Sequence, residues 1–148
     1  MSRGGAGEQA SVARGLGYAR LGQWQQAIRA LTTALEESPE HVEAHHQLAV
    51  CHAQTGNARE ARRLLQRALG LPRLGDAERV GLLRVLGRVG IQMNDYALAA
   101  ECFEEALGIT GTSGGPILNQ LAQVMCKSGD YERGFALYVR AMRGGGPR

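Results

Sequence analysis

Lysine is nearly absent from this 148-residue chain: Lys127 is the sole one, and the other basic residues are arginine. With 17 basic against 14 acidic residues the net charge is only +3, too small a surplus to announce a nucleic-acid polyelectrolyte. No apolar run approaches the roughly 20 residues needed to cross a bilayer. The opening residues, Met1 to Gly7, lack the apolar stretch of a secretory leader, and Ser2 stands where N-myristoylation requires glycine. The expectation is a cytoplasmic protein. Cysteine is scarce too: Cys51, Cys102 and Cys126 are odd in number and widely spaced, which excludes a disulfide framework and predicts ordinary thiols. No phosphate loop, paired catalytic carboxylates or nucleotide fingerprint occurs, so neither an enzyme nor a cofactor is expected. At this length, with 44% hydrophobic residues, the chain can bury one continuous core.

What the sequence does contain is a repeat. Gly15, Ala49, Gly87 and Ala122 form a column of small residues, each followed seven positions later by a turn residue, Gly22, Gly56, Asn94 or Gly129. Two residues on stand Trp24, Ala58, Tyr96 and Tyr131, then Ala27, Ala61, Ala99 and Gly134. Next come Leu31, Leu65, Phe103 and Tyr138, and last the pairs Ala34-Leu35, Ala68-Leu69, Ala106-Leu107 and Ala141-Met142. Two helices that cross closely need Gly or Ala at the crossing and large side chains beside it, so small and large columns must alternate. The turn residues suit the left-handed conformation just past a helix end. The spacing predicts helices at 8–21, 24–37, 40–55, 58–70, 76–93, 95–109, 115–128 and 131–143, with starts marked by Ser38-Pro39, Asp76, and Ser113 with Pro116.

A period of about 34 residues, with small residue, Gly turn, aromatic, Ala and Ala-Leu in that order, resembles the tetratricopeptide repeat. The resemblance runs from about residue 8 to 143 and implies an all-α fold, a right-handed superhelical α-solenoid of four helix-turn-helix repeats and about eight helices. The units lie near 8–41, 42–75 with an adjoining insertion to 79, 80–113 and 115–143, as one domain between flexible ends at 1–7 and 144–148. The second unit starts 38 residues before the third, so about four residues are inserted near Leu71 to Asp76. Ser11 and Arg14 depart from the pattern where large apolar residues belong, and Gly90 replaces a bulky one.

In such a solenoid the first helix of each pair lines a concave groove, which implies a partner-binding surface. It comprises Val12 and Leu16, then His46, Gln47 and Val50, then Arg84 and Arg88 with Val85 between them, then Asn119, Gln120, Gln123 and Lys127. That order runs from apolar to basic and amide-rich, which suits a peptide or helix with an apolar anchor and acidic groups. Chaperone adaptors of this family grip acidic C-terminal tails with Lys and Asn at set groove positions. Here those columns hold Val12, Leu16, Gln47, Gly81 and Val85, so that clamp is absent. The function expected is a protein-binding adaptor or assembly factor.

The alternative is a self-associating scaffold. A repeat array needs a polar final helix or an extra capping helix, yet the last predicted helix carries Phe135, Leu137, Tyr138, Val139 and Met142. Phe135, Tyr138, Val139 and Met142 are candidate self-association residues, in a homo-oligomer for instance. A minor alternative is RNA binding through a basic face of Arg59, Arg62, Arg63 and Arg67, but no aromatics interleave with these arginines. His41, His45, His46 and His52 cluster with Cys51 without converging, so no metal site is predicted. Gly111-Thr112-Ser113-Gly114-Gly115 spells a hydrolase nucleophile motif but falls between helices, without its strand-turn-helix context.

Overall fold

The computed structural model describes residues 4–111 and 115–144, with the side chains at 4–6 and 8 excepted. Among these residues every regular element is helical: α1 (Gly4–Arg20), α2 (Trp24–Glu37), α3 (Val42–Gln54), α4 (Ala58–Leu69), α5 (Asp76–Gln92), α6 (Tyr96–Thr110), α7 (Gly115–Lys127) and α8 (Tyr131–Gly144). They fall into two compact units, Met1–Leu74 and Gly75–Arg148. The division lies inside the inserted segment. Helix α1 begins at Gly4, earlier than residue 8, while Ser113 of the hydrolase-like string and of the expected helix start lies outside the described residues.

In the first unit α2 buries Ala27, Leu31 and Ala34 completely, one stripe at helical spacing. Gly15 of α1 crosses over Leu31 so closely that a Cβ there would stand 2.5 Å from the leucine Cγ. Helices α3 and α4 bury Ala44, His45, Leu48, Ala49 and Cys51 against Ala61, Leu64, Leu65 and Ala68. The second unit repeats the device: a Cβ on Gly87 would lie 2.5 Å from the Phe103 ring, and one on Gly134 2.5 Å from Cys126 Sγ. The small column therefore exists because the large column sits on it. A Cβ on Gly90, where a bulky residue was expected, would lie 3.1 Å from Ala99 N and Asp95 O, since the end of α5 meets the start of α6 there.

All four intra-pair turns use the same hydrogen bonds. Gly22, Gly56, Asn94 and Gly129 have positive φ, from 59 to 96°, as the turn column predicts. The amide after each reaches back five residues: Gln23 to Tyr18, Asn57 to His52, Asp95 to Gly90 and Asp130 to Met125, at 2.7–2.9 Å. This bond satisfies a carbonyl orphaned at the helix end and turns the chain back on itself.

The helix starts differ from expectation. Helix α3 is capped by His41, whose Nδ1 accepts from Ala44 N at 3.0 Å, and Ser38-Pro39 lies in the preceding turn. Helix α5 begins at Asp76 but its cap is Gly75, whose amide donates to Glu78 Oε1 at 3.0 Å. At α6, Asp95 Oδ1 accepts from Leu98 N, the side-chain capping that the residue type favours.

Candidate partner-binding surfaces

The expected groove residues are distributed unevenly. Val12 is 8% exposed and belongs to the core of the first unit, not to a surface; Ser11 beside it is equally buried. The reason is that α1 turns the stripe Ser11, Val12 and Gly15 inward, so Val12 supplies the bulk that Ser11 lacks. Leu16 is half-buried. On α3, His46, Gln47 and Val50 share a half-buried face, and Gln47 Nε2 donates to Glu43 Oε1 at 3.2 Å. In the second unit Val85 is buried as well, whereas Arg84 and Arg88 remain accessible one turn apart. Arg84 Nε donates to Gln120 Oε1 at 3.1 Å, joining α5 to α7 across 36 positions of sequence. Around that contact Arg88, Asn119, Gln123 and Lys127 are exposed. Helix α7 contains no acidic residue, and those of α5 are confined to its first turn.

Helix α8 is different. Gly134 and Ala141 are its buried residues, while Phe135 is 60% exposed, Val139 46% and Met142 76%. Tyr138 is 36% exposed, although Leu31, Leu65 and Phe103 in the same column are wholly covered. Tyr131, which the sequence places in a packing column, is exposed too, its ring centroid 6.3 Å from that of Phe135. The face that α2 and α6 turn to the next helix is thus bare on α8.

The arginine face of α4 is partly neutralised. Arg63 donates from Nε to Glu60 Oε1 at 2.8 Å, and that bond holds the Glu60 carboxyl below its usual range. Arg79 of the second unit faces Glu105 at 3.7 Å. Among the described residues no group of three His, Cys, Asp or Glu side chains could hold a metal ion. His45 instead packs as a core residue, its Nδ1 2.9 Å from the His41 carbonyl, and burial pushes its pKa below the ordinary value. Burial has the same effect on His52.

Sequence reasoning missed a cavity of about 310 Å³ in the first unit, framed by α2, α3 and α4. Leu35, Leu48 and Leu64 form its apolar wall; His45, His52, Glu36, Glu60, Arg63 and Arg67 supply the polar groups. Its residues are scattered over three helices, so no local motif could have signalled it.

Helix pairs with small-residue crossings, left-handed turns and accessible faces on the first helix of each pair define an all-α helical-repeat scaffold of the solenoid class. Two tetratricopeptide repeat profiles match the chain, at residues 18–80 and 85–112, and together they span more than half of it. The chain belongs to the tetratricopeptide repeat family, a fold that typically serves protein interaction and not catalysis. Among solved structures it is similar to a crystal structure of MamA protein, with a TM-score of 0.80 at 18% identity over 93% of this chain and 72% of the other. It is also similar to MamA residues 41 to the end from Desulfovibrio magneticus RS-1, with a TM-score of 0.81 at 14% identity over 92% and 74%. At these identities the likeness concerns the fold. No curated protein sequence matches the chain. No helix among the described residues is long and apolar enough to cross a membrane.

Proposed function

We propose that the protein is an adaptor that holds a partner peptide or helix on the first-helix faces of its repeats. The observation that carries this reading is the face around the Arg84–Gln120 contact, which gathers three cations and three amides with no carboxylate from α7. Guanidinium groups bind carboxylates in charge-assisted pairs, and amides bond a ligand's backbone, so the face suits an acidic segment. Leu16 and the α3 residues His46, Gln47 and Val50 offer a more apolar surface in the first unit, suited to an anchoring side chain. The test is a fluorescence anisotropy screen of acidic and basic helical peptides carrying one apolar anchor. Acidic peptides should bind, and the double reversal Arg84→Glu/Arg88→Glu should abolish binding while helical circular dichroism stays unchanged. Binding that survives the reversal sinks the reading.

The bare face of α8 favours a second role, self-association. Apolar surface of this kind on an exposed helix face drives pairing when a complementary face is at hand. Light scattering should then show a dimer or larger species that Val139→Glu or Met142→Glu returns to the monomer. A strict monomer, indifferent to both substitutions, removes this role.

A further inference from the structure

The cavity among α2, α3 and α4 lies on the side of α3 away from His46, Gln47 and Val50, and the protein's own contacts leave one of its polar atoms without a partner. The carbonyl of His41 can only accept, so His45 Nδ1 is the nitrogen that carries the proton. Burial first, and then the guanidinium of Arg67, lower its pKa from the ordinary value, so above about pH 6.5 the ring is neutral. Nε2 is then a lone-pair acceptor, and among the described residues nothing donates to it. Yet His45 is only 2% exposed and lines the cavity.

Charge does not select an ion here. Arg63 is engaged by Glu60, and the remaining full charges on the lining, Arg67 and Glu36, are one of each sign. An occupant must therefore be neutral, flat enough to lie against Leu35, Leu48 and Leu64, and equipped with one hydrogen-bond donor at its inner end. An aliphatic alcohol lacks the body, and a phenylalanine ring lacks the donor. The volume exceeds the roughly 150 Å³ that an engineered apolar cavity needs to take up benzene. We propose that this cavity is an anchor site for a phenolic side chain, a partner protein's tyrosine, whose hydroxyl donates to His45 Nε2 while its ring rests on the three leucines. This site is separate from the cationic face of α5 and α7, and either can fail without the other.

The experiment titrates the full, ¹⁵N-labelled chain with p-cresol, with 4-methylanisole, in which the hydroxyl is methylated, and with inorganic phosphate. Long-range proton–nitrogen spectra report on the His45 ring and amide shifts on the lining residues. p-Cresol should move the His45 Nε2 resonance and bind about tenfold more tightly than 4-methylanisole, the ratio one hydrogen bond provides. Phosphate should leave the ring unmoved. In His45→Phe the preference for the phenol should vanish; the wild-type comparison of phenol with ether stands by itself if that variant does not fold. Equal binding of the two aromatics, shifts confined to residues outside the cavity, or a stronger response to phosphate overturns the proposal.

Discussion

Single residues set what this chain tolerates. Phe103 leaves no room for a methyl group at Gly87, so Gly87→Ala must push the ring or the α5–α6 crossing aside. The expected cost is about 1–3 kcal/mol, the usual penalty of overpacking, read as a lowered midpoint in urea. Gly108, with nothing within 4 Å of its Cβ position, should accept alanine without loss. The thiols form a second series. Burial and the carboxylates of Glu105, Glu101 and Asp95 push the Cys102 thiol up to about 12, and burial raises that of Cys51. Because the thiolate is the nucleophile, iodoacetamide should label the half-buried Cys126 first and the other two only on unfolding, which mass spectrometry resolves. His45 and His52 have folded pKa values below 6.5, so as pH falls the unfolded chain takes up protons before the folded one. Their contribution to stability is complete above about pH 6.5 and is lost as pH drops through the folded values. Melting temperature should accordingly fall between about pH 7.5 and pH 5, and less steeply in His45→Phe.

At the level of the helix, the repeat was legible because its columns encode a contact: Gly15 lies against Leu31 and Gly87 against Phe103, so each small residue announces its large neighbour. The bare face of α8 was legible for a related reason, since four large side chains on one helix exceed what α7 alone can cover. Helix starts were harder to read. Serine and aspartate are the usual caps, but the start of α3 is held by an imidazole nitrogen, and sequence patterns give histidine no such weight. His41→Ala should cost about 0.5–2 kcal/mol, as loss of a cap does, while the backbone carbonyl that accepts from His45 Nδ1 stays in place. Val12 was misplaced because the inward stripe of α1 runs through Ser11, and a polar residue in that stripe shifts the burden of packing to its neighbour. The cavity had no local signature at all. It depends on how three helices meet, and one of its polar groups, His45, reads in sequence as an ordinary packing residue.

At the level of the whole chain, the four-residue insertion identified from the repeat spacing coincides with the boundary between the two compact units. The segment from Gly70 to Gly75 lies between α4 and α5, and Arg73 within it is exposed with φ of 63°. Exposed connections are preferred sites of proteolytic nicking. Under limiting trypsin the earliest internal cleavage should therefore follow Arg73, giving two fragments whose masses identify the cut. A first cut within α4 or α5, which carry arginines of their own, would show that the helix pairs open before the connection does.

The shared turn geometry bears on how such a protein can be rebuilt. Because Leu21-Gly22-Gln23, Thr55-Gly56-Asn57, Met93-Asn94-Asp95 and Ser128-Gly129-Asp130 close their helix pairs with the same amide bond, they are interchangeable parts. A turn lifted from one pair carries its geometry with it, so one turn can replace another without disturbing the helix crossing it closes.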